Sequence, residues 1–369
     1  MMIGRPLLAL SFTLLAACAN HVHEFYNPNQ AGLVYTMPAN LQDNIFRYDA
    51  PTPEPKWRET PARQLPGYHV SALSFPSSGA NGQADNLVRA RFYQSQKGGE
   101  GKKPLLIVLP IWATHTFPGT VIANGYSQHS EGQAHILWMQ GEEPLFDWFT
   151  LPKHETEEDF IAEVDVSMER FRSVAIDVRR LIDWAETQPD IDTGRIGIIG
   201  FSMSAIVAAN IAGVDPRIHT AVYVLGAAEV WDVMAECNLV VEYMRKGVEK
   251  RLGWDQEQYR AFFREKFRDG DPGLWQGAYR SENTLIIEGS TDACVPPNSR
   301  EALWLATGKP ERIIYPYNHW QPFLAMTPVG ANALSNDIFE FLDRKLLDRD
   351  MGPKETVDGL FCGIAEHQH

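Results

Sequence analysis

The sequence predicts a three-layer α/β fold: a mostly parallel sheet with antiparallel strands at its start and a helical cap inserted over residues 230–280. Three observations carry this expectation. Short apolar runs alternate with helix-length segments from residue 103 to about residue 350. Ahead of them, two strand-like runs flank a turn-rich loop, and later a stretch dense in helix formers and aromatics interrupts the alternation. Alternating strands and helices require crossover connections, and these make parallel pairing the natural solution.

Taken in order, "YHVSALSFPS" (68–77) and "NLVRARFYQS" (86–95) flank "SGANGQAD" and read as an antiparallel hairpin with a long loop. "KPLLIVLPIW" (103–112) is apolar on both faces, as a central strand should be, and "AHILWMQ" (134–140) is a further short strand. Phe171, Val174, Val178, Leu181, Ile182 and Ala185 recur at helical spacing, with Arg179, Arg180, Asp183 and Glu186 on the other side. "RIGIIG" (195–200) is a strand running straight into an apolar helix. "HTAVYVLGA" (219–227), "TLIIEG" (284–289) and "ERIIYPYN" (311–318) complete the strands.

Residues 230–280 include Trp231, Tyr243, Trp254, Tyr259, Phe262, Phe263, Phe267 and Trp275. An insertion after a parallel strand sits near the strand ends, where open α/β sheets bind ligands, so this cap is expected to line a site. Residues 19–67, rich in Asn and Pro and without a sustained period, read as a tether that partly wraps the body. No internal repeat occurs.

The 369 residues are 44% hydrophobic and 22% charged, an ordinary globular composition. A net charge of −14 without a basic stripe disfavours nucleic acid as a partner. No cysteine or histidine spacing suits zinc, and neither a Walker loop nor a strand followed by G-x-G-x-x-G is present, so no metal or cofactor is expected.

The start of the chain, "MMIGRPLLALSFTLLAACAN", has one basic residue, Arg5, before an apolar run too short to span a bilayer. It reads as an export signal. Leu15-Ala16-Ala17-Cys18 resembles the lipobox of bacterial lipoproteins, which implies cleavage before Cys18, lipid attachment to it and a membrane-anchored place in the bacterial cell envelope. The plainer alternative is an ordinary cleaved signal. The expected organisation is therefore a signal over 1–17, a tether over 18–67, the body over 68–350 and a tail over 351–369. Cys237, Cys294 and Cys362 match no metal or redox spacing; two can pair in an oxidising compartment, and the pairing is open.

In Gly200-Phe201-Ser202-Met203-Ser204 a strand must become a helix within a few residues, and a serine there projects its hydroxyl off the sheet with a helix N-terminus behind it. A solitary serine at such a place is more often a helix cap. As a nucleophile it needs an imidazole base, and the imidazole needs a carboxylate to hold its tautomer. The pentad resembles the G-x-S-x-G nucleophile elbow of the α/β-hydrolase superfamily, with Ser204 where the pattern has glycine.

That resemblance implies an α/β-hydrolase fold and the chain order serine, acid, histidine. Gly289, Asp292, Val295 and Pro296 match the G-x-x-D-x-x-V-P pattern of dienelactone-hydrolase-like and prolyl-oligopeptidase-like members, which makes Asp292 the acid. Glu229 and Glu288 are its rivals, and the plain reading of Asp292 is an Asx-turn residue. Among 11 histidines, His319 directly follows the last strand, where the superfamily carries its base. The oxyanion donors would be the backbone N–H of Met203 and one from "PIWATHTFPG" (110–119), with Trp112 first and Ile111 second. That loop lacks the superfamily's His-Gly signature, and Pro110 cannot donate; Trp112 and His115 would otherwise shape the pocket wall.

The resemblance thus implies a serine-dependent carboxylic ester hydrolase acting on a small-molecule ester through an acyl-enzyme. A peptidase or an acyltransferase would use the same triad, although no strand repeat suggests a gating propeller. From another class, a catalytically silent envelope binding protein would keep the fold for its pocket. Neither the acyl group nor the oligomeric state is written in the sequence.

Overall fold

Ten strands form one sheet in the computed structural model, which describes residues 21–30, 44–49, 58–78, 87–97, 101–111, 117–141, 144–330 and 332–350. The strands are β1 (Val22–Glu24), β2 (Arg58–Leu65), β3 (Tyr68–Pro76), β4 (Leu87–Ser95), β5 (Lys103–Val108), β6 (His135–Gln140), β7 (Ile191–Phe201), β8 (Ile218–Val224), β9 (Thr284–Gly289) and β10 (Glu311–Tyr315). Their order across the sheet is β1-β10-β9-β8-β7-β5-β6-β4-β3-β2. From β10 to β6 every neighbouring pair is parallel, whereas β2, β3 and β4 pair antiparallel on one flank and β1 on the other.

The apolar-on-both-faces reading of β5 has its reason in this order, because β7 and β6 flank it and helices cover both faces. Leu105 and Ile107 enter one core, while Leu106 and Val108 enter the other. The first core is closed by α2 (Glu157–Glu186) and α3 (Met203–Val214), the second by α1 (Gly119–His129) and α9 (Ala333–Lys345). Between α3 and α9 lie α4 (Val230–Glu236), α5 (Val240–Leu252), α6 (Gln256–Phe267), α7 (Pro297–Ala306) and α8 (Gln321–Ala325).

Helix α2 starts well before the periodic stretch at Phe171. Thr156 caps it by accepting from the Asp159 N–H, and Glu157, Glu158 and Asp159 fill the first turn, where acidic groups meet the positive end of the helix dipole. Among the described residues no helix is long and apolar enough to cross a membrane.

The segment before Tyr68 is more than a wrap. Strand β1 adds antiparallel to β10, β2 adds to β3, and Phe46 is fully buried against Phe171 and Trp275, with ring centroids 6.1 Å and 6.3 Å away. A three-residue strand and a single anchoring ring leave no periodic signal, so only the partners reveal them.

The inserted cap comprises α4 to α6. Tyr259, Phe263, Phe267 and Trp275 are buried in the main core, and Trp254 and Phe262 pack on Phe160 of α2 at 5.5 Å and 5.6 Å. The Trp275 indole N–H donates to Asn210 Oδ1 of α3 at 2.7 Å. These aromatics attach the cap to the body; Tyr243 stays exposed beside Phe149.

Candidate active site

Strand β7 delivers Ser202 at its end, and the backbone there is strained: φ is 53° and ψ −120°, a region that L-residues rarely occupy. The surroundings impose it. The Ser202 N–H donates to the Val224 carbonyl of β8 at 2.8 Å, while its own carbonyl accepts from Ala205 N–H at 2.9 Å, so the residue is held by both the sheet and the first turn of α3. Glycine is required at position 200, where a Cβ would lie 2.1 Å from the Ser204 carbonyl oxygen.

The loops that carry Asp292 and His319 are built as one unit. Gly289 ends β9, and a Cβ on it would sit 2.4 Å from the Tyr317 carbonyl oxygen of the chain leaving β10. The two chains are joined by Ser290 N–H to Tyr315 O at 2.8 Å and by Thr291 N–H to Tyr317 O at 3.2 Å. Asn318 then fixes the next turn: its Oδ1 accepts from the N–H groups of Trp320 and Gln321 at 3.0 Å and 3.1 Å, and its own N–H donates to Gln321 Oε1 at 2.8 Å.

These constraints bring three distant residues together. The Ser202 hydroxyl stands 3.0 Å from His319 Nε2, and His319 Nδ1 stands 2.9 Å from Asp292 Oδ2. The other Asp292 oxygen accepts from the N–H groups of Cys294 and Val295 at 2.7 Å and 3.0 Å, and the carboxylate is fully enclosed. Burial raises the Asp292 pKa, but the hydrogen bond and charge of His319, with the two backbone donors, outweigh it and hold the group below its usual range.

No family model matches the sequence, and no curated protein does. Among solved structures the chain is similar to acetyl xylan esterase 1 from Thermoanaerobacterium sp. JW/SL YS485, with a TM-score of 0.55 and 16% identity over 80% of this chain and 94% of that one. It is also similar to an acetyl xylan esterase from Paenibacillus sp. R4, with a TM-score of 0.53 and 15% identity over 75% and 88% of the two chains. A third is the S-formylglutathione hydrolase from Agrobacterium tumefaciens, with a TM-score of 0.50 and 16% identity over 78% and 99%. The chain has the α/β-hydrolase fold.

Within that hydrolase fold the strained serine occupies the elbow, and Ser204 replaces the usual glycine without loss of the close approach. Its buried hydroxyl accepts from the Phe201 N–H at 2.7 Å and donates to the Phe201 carbonyl at 3.0 Å. Met203 is the first residue of α3, so its N–H has no intrahelical acceptor and lies next in the chain to Ser202. Trp112 and His115 lie outside the described residues, as do Cys18 and Cys362; Ile111 is the last described residue before that break.

Of the rival acids, Glu288 is buried within β9, where desolvation raises its pKa, and its nearest cation is Arg312 at 3.9 Å. Glu229 is the left-handed residue preceding α4. Neither bonds the His319 imidazole among the described contacts, where Asp292 holds Nδ1. A link that residue spacing left open is the disulfide between Cys237, at the end of α4, and Cys294, two residues beyond Asp292. It ties the cap to the loop that carries Asp292. Among the described residues no cluster of three metal-ligating side chains occurs.

Proposed function

We propose that the protein is a serine-dependent carboxylic ester hydrolase in which Ser202 is the nucleophile, His319 the base and Asp292 the orienting acid. The observation that carries this reading is the relay of contacts from Ser202 Oγ to His319 Nε2 at 3.0 Å and from His319 Nδ1 to Asp292 Oδ2 at 2.9 Å. A helix cap needs neither partner, and a binding protein gains nothing from holding all three. The fold is one that acetyl xylan esterases also use.

In this reading Ser202 Oγ attacks the acyl carbon as His319 Nε2 takes the hydroxyl proton. The carbonyl electrons move to oxygen, and the Met203 N–H, backed by the α3 dipole, stabilises the resulting oxyanion together with a second donor from the Ile111–Trp112 stretch. The bond to the alcohol then breaks, and His319 returns its proton to the departing oxygen. Water repeats the sequence on the acyl-enzyme, releasing a carboxylic acid and restoring the Ser202 hydroxyl. Asp292 keeps the imidazole in the tautomer with Nδ1–H and stabilises it while charged. No step calls on a metal or an organic cofactor.

Labelling with a fluorophosphonate probe tests the assignment. Wild-type protein should be labelled and Ser202→Ala should not; an unlabelled wild type, or equal labelling of both, overturns it. For location, the lipobox at Leu15 to Cys18 motivates a lipid-anchored envelope protein whose mature chain begins at Cys18. Cys18→Ala should move the protein from the membrane fraction to the soluble one, and retention in the membrane would rule the anchor out.

A further inference from the structure

During acylation His319 Nε2 must deliver its proton to the departing alcohol oxygen, so the alcohol portion of the substrate has to lie alongside the imidazole. The residue flanking that imidazole is Trp320. Its ring meets the His319 ring edge to face, with centroids 5.7 Å apart and an interplanar angle of 86°, yet Trp320 is 59% exposed. Leu324, one helical turn along α8, is 54% exposed.

The indole is supported as well as open. Phe323 packs on it at 6.0 Å and in turn meets Phe117 at 6.3 Å, at the far end of the loop that leaves β5. The Asn318 side chain fixes the backbone N–H of Trp320 at 3.0 Å. Single exposed apolar residues are common and need no explanation. Here two lie one turn apart on a helix that begins beside the base, and the larger is an anchored ring with an open surface, which offers stacking area at small entropic cost.

We propose that Trp320, with Leu324, forms the leaving-group subsite and selects esters of ring-bearing alcohols, the ring lying on the indole while the ester oxygen faces His319 Nε2. This rests on the ester-hydrolase reading above. The acyl group stays on Ser202 after the alcohol departs, so the subsite acts on acylation and not on the water-dependent second half of the reaction. It sets alcohol preference and leaves acyl preference to other residues.

The test compares kcat/KM for benzyl acetate and ethyl acetate, whose alcohols are similar in acidity and differ in the ring, with benzyl butyrate reporting acyl preference. In Trp320→Ala the benzyl-to-ethyl ratio should fall about tenfold, as expected for losing an aromatic stacking partner and its apolar contact. Trp320→Phe should recover most of it, and the acetate-to-butyrate ratio should move less than about twofold. Should Trp320→Ala fail to fold, Leu324→Ala carries the test with a fall of about threefold. An unchanged benzyl-to-ethyl ratio, or an equal change in the acyl ratio, overturns the subsite while fluorophosphonate labelling of wild type still upholds the hydrolase. A wild type that is neither labelled nor active on any of the esters overturns both.

Discussion

The Ser204 hydroxyl engages both backbone polar groups of Phe201, accepting from its N–H at 2.7 Å and donating to its carbonyl at 3.0 Å. The residue that departs from the elbow pattern therefore braces the bend that presents Ser202. Ser204→Ala should leave these buried groups short of partners and cost about 1–3 kcal/mol, read as a lower urea midpoint with unchanged slope. Ser204→Gly should cost about 1 kcal/mol more, since it loses the same bonds and adds the helix penalty of glycine. Unaltered midpoints in both variants would show that the bonds contribute nothing.

Gly289 and Tyr317 set the spacing of the loops that carry Asp292 and His319. A Cβ at 289 would stand 2.4 Å from the Tyr317 carbonyl oxygen, and backbone cannot rotate out of the way. Gly289→Ala should displace Asp292 from His319 and lower kcat/KM by about 100-fold, the scale of a misplacement near 1 Å. The accompanying loss of stability should be about 1–3 kcal/mol. Full activity in this variant would mean that the loops tolerate separation.

Asp292 links the site to acid stability. Its folded-state pKa is depressed because the His319 and backbone hydrogen bonds outweigh burial, so it stabilises the fold above its unfolded value of about 3.9. That contribution disappears as pH falls through the lower folded value. Asp292→Asn lacks it at every pH, so its urea midpoint should lie below wild type near neutrality and converge on it as pH falls through the depressed folded-state value. Curves that stay parallel would refute the linkage. Activity of the variant should fall about 10⁴-fold from loss of the correct tautomer.

The Cys237–Cys294 bond spans 57 residues of sequence and closes the cap onto the acid loop. Replacing both cysteines with alanine should destabilise the protein by about 4 kcal/mol, the chain-entropy scale for a loop of this length. Because the Cys294 N–H also donates to Asp292, the loss of activity on reduction should precede global unfolding in a urea series. Coincident losses would assign the bond to stability alone.

Much of the sheet can be read from local pattern. The apolar runs of β5, β7, β8 and β9 match strands because burial on both faces demands continuous Val, Ile and Leu. Ser202, Asp292 and His319 stand out because each follows a strand in a fixed chain order, and the folded chain places them within hydrogen-bonding distance of one another. By contrast β1, β2 and the Phe46 anchor lack a period of their own, and the cap aromatics give no sign in sequence of whether they face core or solvent.

The sequence by itself determined the alternation of strand and helix and the glycine and serine at the bend, since each depends on residues close in the chain, and its resemblance to a family pattern singled out Ser202, Asp292 and His319. Only the tertiary structure decided that Cys237 meets Cys294, that the cap aromatics pack on α2, that Ser204 bonds Phe201 and that Trp320 stands open beside His319. The physical reason is the same for all four. Periodicity and backbone preference are local properties, whereas the partner of a thiol, a ring or a buried hydroxyl is chosen by which surfaces the finished packing brings within contact distance.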